Sequence, residues 1–327
     1  MTVELRGLEL FSGIGGFAAA AKGSNLRIMA AMDQDRDALD TYRLNYPQHT
    51  CRRVDLERVS AWELSAGGID FWWLSPPCQP YCERGARRDL ADPRARSLVR
   101  ILELLATMRD EHLPRHLALE NVAGFVGSQA HGRLREVLTG RGYHLAEHQI
   151  CPTMLGVPSR RPRYYLAASR APLVDGGEPA ATTGRPLADY LAPELTGSCC
   201  PDELLLDRDL VERFGSGLRI LDPSDPVAYT TCFISGYGRS LMGAGSYLRC
   251  ADGVRRFSPE EIARLLHFPP DFRFPPGLSL RKRWHLVGNS LSVAAVRHIL
   301  GLFPAIRLAC GNEPRQLSIG QPPIRIV

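Results

Sequence analysis

A thiol set among prolines is the first group in this 327-residue chain whose type and setting suggest chemistry. Cys78 lies in Ser75-Pro76-Pro77-Cys78-Gln79-Pro80-Tyr81, straight after the apolar, aromatic run Phe71-Trp72-Trp73-Leu74. Such a run reads as a buried strand, and prolines end a strand abruptly. A residue before proline is pushed out of the helical region, so Ser75, Pro76 and Gln79 are expected to be extended. The thiol would then sit at the tip of a stiff loop at the carboxyl end of a strand, the edge where open α/β sheets place their chemistry. The plainer alternative is a buried structural cysteine beside a proline turn. Two further groups bear on the choice. Glu120 ends the apolar run 116–119, where desolvation would raise a carboxyl pKa, although a hydrogen-bonded structural acid fits equally well. Arg160, Arg161 and Arg163 precede another apolar run at 164–168; arginines so placed either face solvent or grip a phosphate or a base edge.

These groups need a sheet to carry them. Residues 7–11 read as a strand running into Ser12-Gly13-Ile14-Gly15-Gly16, and the alanine-rich 17–22 as a helix with Gly23 as its C-cap. Strand, glycine turn and helix make the first unit of a dinucleotide-type site, where glycine lets the backbone approach a ligand. A strand at 26–32 ends at Asp33, about 20 residues past the turn, where an acid can take ribose hydroxyls. A third strand at 50–54 ends at Asp55. Either acid alone could be a helix N-cap, but three such features at successive strand ends indicate a nucleoside pocket. After the Cys78 strand, Leu98, Ile101, Leu102, Leu105 and Met108 recur at helical spacing, and 116–119 is the fifth strand. Leu134, Val137 and Leu138 mark another helix, followed by strands at 143–150 and 164–168.

The composition changes after Arg170, where proline, glycine and alanine dominate and no steady period holds to about residue 221. Within this stretch, Cys232-Phe233-Ile234-Ser235-Gly236-Tyr237-Gly238-Arg239 interleaves aromatics, glycine and arginine. That mixture suits stacking on unpaired bases, and equally an ordinary glycine-rich loop. Ser258-Pro259-Glu260-Glu261 carries an N-cap, a proline at the first helical position and a capping-box glutamate. Gly288-Asn289-Ser290 opens a helix bearing Val293, Val296, Ile299 and Leu300, and the proline-rich tail after Pro304 is expected to be poorly ordered. The fold class expected is α/β: a doubly wound, mostly parallel sheet with a smaller loop-rich domain inserted. The catalytic domain would comprise 1–170 plus 284–305, the small domain 171–283 and the tail 306–327.

Totals narrow the function classes. Apolar residues at 44% and charged residues at 23% are ordinary for a soluble globular chain, and no apolar run reaches a membrane span. Without a signal-like start, cytoplasm is the expected location and reduced thiols the expected state of the nine cysteines. Cys78 and Cys82 form a Cys-x3-Cys pair, but no second pair with histidines completes a zinc site, so no metal is expected. The net charge of +5 says little, whereas its make-up says more. Of 40 cations only Lys22 and Lys282 are lysine, and six arginines fall in the segment from Glu83 through Arg100. Arginine clusters of this kind are consistent with a nucleic-acid partner and with a solvated face.

Taken in order along most of the chain, these segments resemble the cytosine-5 methyltransferase family. Phe11-Ser12-Gly13-Ile14-Gly15-Gly16 is similar to its S-adenosylmethionine loop, Pro76-Pro77-Cys78-Gln79 to its nucleophile motif and Glu120-Asn121-Val122 to its acid motif. Ser159-x-Arg161-x-Arg163 resembles its arginine motif, with serine where glutamine is usual, and Gly288-Asn289-Ser290 its closing motif. Pro80-Tyr81 with Arg87-Arg88-Asp89, Cys232-Phe233-Ile234 with Gly236-Tyr237-Gly238, Phe268-Pro269-Pro270 and Asp33 resemble the branch that methylates tRNA at cytosine 38 of the anticodon loop. Ile234 stands where that branch usually has threonine.

The resemblance implies an S-adenosylmethionine-like fold and four catalytic residues, Cys78, Glu120, Arg161 and Arg163. It implies cofactor contacts from Phe11, Ser12, Gly13, Ile14, Gly15, Gly16, Asp33, Asp55, Leu56, Pro77, Asn289 and Ser290. Nucleic-acid contacts are expected from Arg84, Arg87, Arg88, Cys232, Phe233, Tyr237 and Arg239. Cys78 would add as a thiolate, favoured by nearby arginines, to carbon 6 of cytosine. Glu120 would hydrogen-bond ring nitrogen 3 and the exocyclic amine, and Arg161 and Arg163 would hold the pyrimidine carbonyl and adjacent phosphate. tRNA is the expected partner of a monomeric enzyme. A DNA cytosine-5 methylase and a catalytically silent nucleic-acid-binding relative are the alternatives; a nicotinamide dehydrogenase would leave Cys78 unexplained.

Overall fold

The computed structural model describes residues 3–82, 85, 87–177, 179, 184–195 and 200–308. Among these residues two sheets form. The larger has seven strands: β1 (Leu5–Leu10), β2 (Leu26–Asp33), β3 (Thr50–Arg53), β4 (Phe71–Leu74), β5 (His116–Val122), β6 (His144–Ile150) and β7 (Arg163–Ser169). Their spatial order is β3-β2-β1-β4-β5-β7-β6, with β1 to β5 parallel and β7 reversed between β5 and β6. The chain leaves β1 outward through β2 and β3, then returns to lay β4 on β1's other side. That reversal opens a crevice at the carboxyl ends of β1 and β4, the place where such sheets bind ligands.

The sequence accounts for β4's central position. All four of its side chains are buried, as a strand covered on both faces requires. With a period of two, Phe71 and Trp73 enter one apolar cluster and Trp72 and Leu74 the other. The helices that cover the faces are α1 (Gly16–Ala21), α2 (Arg36–Asn45), α3 (Ala61–Ser65), α4 (Arg96–Thr107) and α5 (Gln129–Gly140). On α4, the buried positions Leu98, Ile101, Leu102 and Leu105 are those the helical spacing predicts.

The second part holds α6 (Arg208–Phe214) and a small sheet of β8 (Ile220–Leu221), β9 (Tyr247–Cys250) and β10 (Gly253–Arg256), in the order β10-β9-β8. Helices α7 (Pro259–Leu265), α8 (Leu280–Gly288) and α9 (Val293–Leu300) follow, and α9 packs against α1. Tyr237, Tyr247, Phe257 and Trp284 share one apolar cluster with Phe17 and Phe71, so this part is built onto one face of the large sheet. The capping box of α7 forms as expected, and its Glu261 also takes two hydrogen bonds from buried Arg255, each 2.8 Å. The fold class expected from the sequence is the one observed. Details differ. Gln79 enters a short 3-10 turn, Gln79–Tyr81, instead of staying extended, and Glu120 lies inside β5 instead of at its end. The expectation about the tail falls mostly on 309–327, outside the described residues.

Candidate active site

Cys78 enters the 3-10 turn that follows β4 and Pro76-Pro77, with its thiol half-buried at the crevice. Three contacts hold this loop on the end of β5. Asn121 Nδ2 donates to the Pro76 carbonyl at 3.2 Å, while the Tyr81 ring meets Phe125 edge-on at 4.8 Å. Gly124 is the third, because a Cβ there would collide with the Tyr81 carbonyl. Asn121 and Gly124 therefore seat the nucleophile loop against the carboxylate strand. Beyond the turn, Asp89 accepts from Gln129 N at 2.5 Å and Ala130 N at 3.2 Å, fastening the loop's far side to the start of α5.

Glu120 and Arg163 face each other across β5 and β7, Nε to Oε1 3.2 Å, with side chains about a tenth exposed. Burial pushes the Glu120 carboxyl upward, against the pull of Arg163 and Arg161. Both carry charge toward Cys78: Arg163 favours its thiolate and Glu120 opposes it. The expectation that arginines make Cys78 a ready thiolate is corrected. The Cys82 side chain and burial outweigh Arg163 and push the Cys78 thiol well up.

Arg161 has a different task from the one expected of it. It is 5% exposed, and its terminal nitrogens donate to the carbonyls of Phe233 (2.9 Å), Gly288 (3.2 Å) and Ser290 (2.6 Å). Both terminal nitrogens are engaged in this way while Nε is buried without a hydrogen-bond partner among the described residues, and the guanidinium clamps the small part to the closing segment. Gly288 belongs to the clamp, since a Cβ there would lie 2.5 Å from the Ile234 backbone. The nucleic-acid assignments divide likewise. Phe233 and Tyr237 are 4% and 0% exposed and meet edge-on in the aromatic core, so neither can receive a base. Cys232 lies between Arg161 Nη1 at 3.2 Å and Arg163 Nη2 at 3.5 Å. Burial alone would raise the Cys232 thiol, but the two guanidinium groups bring it below the usual thiol range. Arg87, Arg88 and Arg239 are exposed, and Arg84 lies outside the described residues.

The expected cofactor residues gather at the carboxyl ends of β1, β2 and β3. Phe11 is a non-glycine residue at φ 58°, a strained value of the kind found at ligand sites. Asp33 accepts from Gly13 N at 2.8 Å and from Asp35 N at 2.9 Å, so it shapes the glycine loop and keeps acceptor capacity for hydroxyls. Ile14, Gly15, Gly16 and Leu56 are buried, Pro77 is half-buried, and Asp55 is exposed with Oδ1 on Glu57 N at 3.0 Å. Asn289 is exposed; Ser290 is buried and gives its carbonyl to Arg161. Ser12 Oγ is buried without a hydrogen-bond partner among the described residues. An orphaned hydroxyl beside a strained loop and an acid with spare acceptor sites fit the polar amino-acid and ribose ends of S-adenosylmethionine.

Glu9 escaped the sequence reading. It is fully buried on β1 and accepts from Tyr42 Oη at 2.8 Å on one carboxylate oxygen, while the other has no hydrogen-bond partner among the described residues. Burial above all pushes it up to about 8. The apolar neighbours Leu8 and Leu10 could have marked it as an inward-facing acid. Cys82 closes the turn that Cys78 opens, and in the sequence only its spacing of four from Cys78 marks it.

A Rossmann-like sheet with one reversed strand, a glycine loop and a thiol at its switch point defines the methyltransferase class of this fold. The chain belongs to the C-5 cytosine-specific DNA methylase family, whose model matches residues 5–184. It is 30% identical to the tRNA (cytosine(38)-C(5))-methyltransferase of Schizosaccharomyces pombe, over 92% of this chain and 97% of that one. A DNA (cytosine-5)-methyltransferase of Dictyostelium discoideum is 25% identical over 91% and 93% of the two chains. The crystal structure of S. pombe Dnmt2 methyltransferase superposes with a TM-score of 0.79 at 28% identity, covering 91% of this chain and 98% of that one.

Proposed function

We propose that this chain transfers a methyl group from S-adenosylmethionine to carbon 5 of a cytosine in tRNA, at position 38 of the anticodon loop. The observation that carries the reaction is the buried Glu120–Arg163 pair beside the Cys78 thiol at the sheet's switch point. The substrate is supported by the length of the match to a tRNA methylase, nine-tenths of both chains.

Carbon 5 of cytosine is a poor nucleophile while the ring is aromatic. Cys78 loses its proton to solvent and adds as the thiolate to carbon 6, which breaks the aromaticity and leaves carbon 5 as an enamine carbon. S-adenosylmethionine supplies an electrophilic methyl group on its sulfonium. Glu120, with its proton held by burial, donates to ring nitrogen 3 as negative charge moves onto the ring, and accepts from the exocyclic amine. Arg163 fixes the Glu120 carboxyl and faces the pyrimidine carbonyl. Loss of the carbon-5 proton and elimination then release Cys78. The base must leave its stack to reach this crevice, which costs least in a loop. Exposed Arg87, Arg88 and Arg239 supply cationic contacts for the backbone around it.

Labelled-methyl transfer to total small RNA, followed by bisulfite mapping, should locate the product at cytosine 38. Cys78→Ala should abolish transfer while binding of S-adenosylhomocysteine persists; normal turnover by that variant would remove Cys78 from the reaction. The second reading is a DNA substrate, favoured by the Dictyostelium relative. Transfer that survives RNase and disappears with DNase would select it.

A further inference from the structure

Cys232 stands between two guanidinium groups, and the reaction given above gives it no part. Its half-buried sulfur lies 3.2 Å from Arg161 Nη1 and 3.5 Å from Arg163 Nη2. Arg163 is engaged on three sides: Nε meets Glu120 Oε1 at 3.2 Å, Nη1 donates to the Pro162 carbonyl at 2.8 Å, and Nη2 points to the Cys232 sulfur. Arg161 gives its other bonds to the carbonyls of Phe233, Gly288 and Ser290, which carry dipoles but no full charge. Two cations thus share a crevice in which Glu120 is the carboxyl at hand. From the nucleophile loop, Cys82 also faces Cys232. The plainer alternative is a neutral thiol donating to the Phe233 carbonyl, 3.6 Å from the sulfur. That carbonyl already accepts from Arg161 Nη1 at 2.9 Å, and the two guanidinium contacts to the sulfur are the shorter ones.

The proposed reaction asks Glu120 to keep its proton until it donates to ring nitrogen 3. A neutral Glu120 leaves both guanidinium groups without its charge, and a buried cation without a counter-charge is unfavourable. We propose that Cys232 is a positioning residue: as a thiolate it is the standing counter-ion of Arg161 and Arg163, and so lets Glu120 stay protonated beside them. This rests on the reading of Glu120 as the acid toward cytosine. With Cys232 anionic and Glu120 neutral, the four side chains carry one net positive charge; with both neutral they would carry two. Taking the charge off Cys232 would therefore draw the proton off Glu120, through the arginine that lies between them. The electrostatics agree with the geometry. The two guanidinium groups overcome burial and bring the Cys232 thiol below its ordinary range, and Cys232 and Glu120 both favour charge on Arg163. Burial holds the Glu120 carboxyl up against the same two cations.

The test is nuclear magnetic resonance of the intact protein, isotope-labelled at cysteine Cβ and glutamate Cδ and titrated from acid to mildly alkaline pH without cofactor or nucleic acid. Cys232→Ser and Glu120→Gln each remove one resonance and so assign it. In the wild type the Cys232 Cβ signal should hold its thiolate position at neutral pH and titrate below the ordinary thiol value of about 8.5. In Cys232→Ser a hydroxyl still accepts from both guanidinium groups but carries no charge, so the Glu120 midpoint should fall by about one pH unit or more. A change that only loosened packing would leave the wild-type Cys232 signal titrating as an ordinary thiol. A Cys232 midpoint at or above the ordinary thiol value, or a Glu120 midpoint unchanged in Cys232→Ser, overturns the proposal. Neither titration needs a substrate, so absence of methyl transfer by the wild type would defeat the proposed function and leave both midpoints readable.

Discussion

Two buried carboxyls, on the strands that flank β4, do different work, and pH separates them. At Glu120 the guanidinium groups of Arg163 and Arg161 work against burial, whereas Glu9 has the Tyr42 hydroxyl as its hydrogen-bond partner and burial prevails. A carboxyl raised from 4.5 to about 8 in the folded state binds its proton more tightly there than in the unfolded chain. Its stabilising contribution is full below the unfolded value and is lost as pH rises through about 8. Urea melts from acid to mildly alkaline pH should therefore show wild-type stability declining over that window, and Glu9→Gln declining less. Equal slopes would mean that burial does not raise Glu9 above its unfolded value. At this scale the sequence was readable where a residue sat in a distinctive spacing, as Cys78 and Asp33 do. It was unreadable where a side chain's role depends on distant partners. Nothing near Arg161 in the chain announces the carbonyls of Phe233, Gly288 and Ser290, more than 70 positions away.

The elements that carry the site were legible because their periods are strong. Strand β4 is a short apolar run, and α4 repeats leucine and isoleucine at helical spacing. Helices α2 and α8 were not foreseen, since their charged faces dilute the apolar signal; caps Asp35 and Ser279 were the remaining clues. The hairpin of β9 and β10 was missed for another reason: strands of four residues give no period to count. The reversal of β7 is a tertiary choice that no local pattern records. Two predictions belong here. Asp33→Ala removes the acceptor of the Gly13 amide at the end of β2, so calorimetry should show weaker S-adenosylhomocysteine binding, by roughly tenfold or more. Unchanged affinity would take Asp33 out of the pocket. Gly124→Ala forces the Tyr81 carbonyl away and should lower methyl transfer with little change in cofactor affinity, because only the nucleophile loop is displaced.

Across the whole molecule, the small part and the large sheet form one apolar body pinned by the Arg161 clamp. Arg161→Met would keep much of the volume and leave three buried carbonyls without their donor. At about 1–3 kcal/mol for each unsatisfied group, the melting temperature should fall by several degrees or more. An unchanged melting curve would show the clamp to be redundant. Helix α9 closes the other side. Arg297 Nη1 donates to the carbonyls of Ala20 and Lys22 at the end of α1, and Asn25 Nδ2 reaches the carbonyl of Ala305. The first helix after the glycine loop thus leans on some of the last residues described. During synthesis the ribosome would release the glycine loop early and its brace late. A nascent chain stalled before residue 290 should be unable to retain the methyl donor, so ligand capture would report that translation has passed that point.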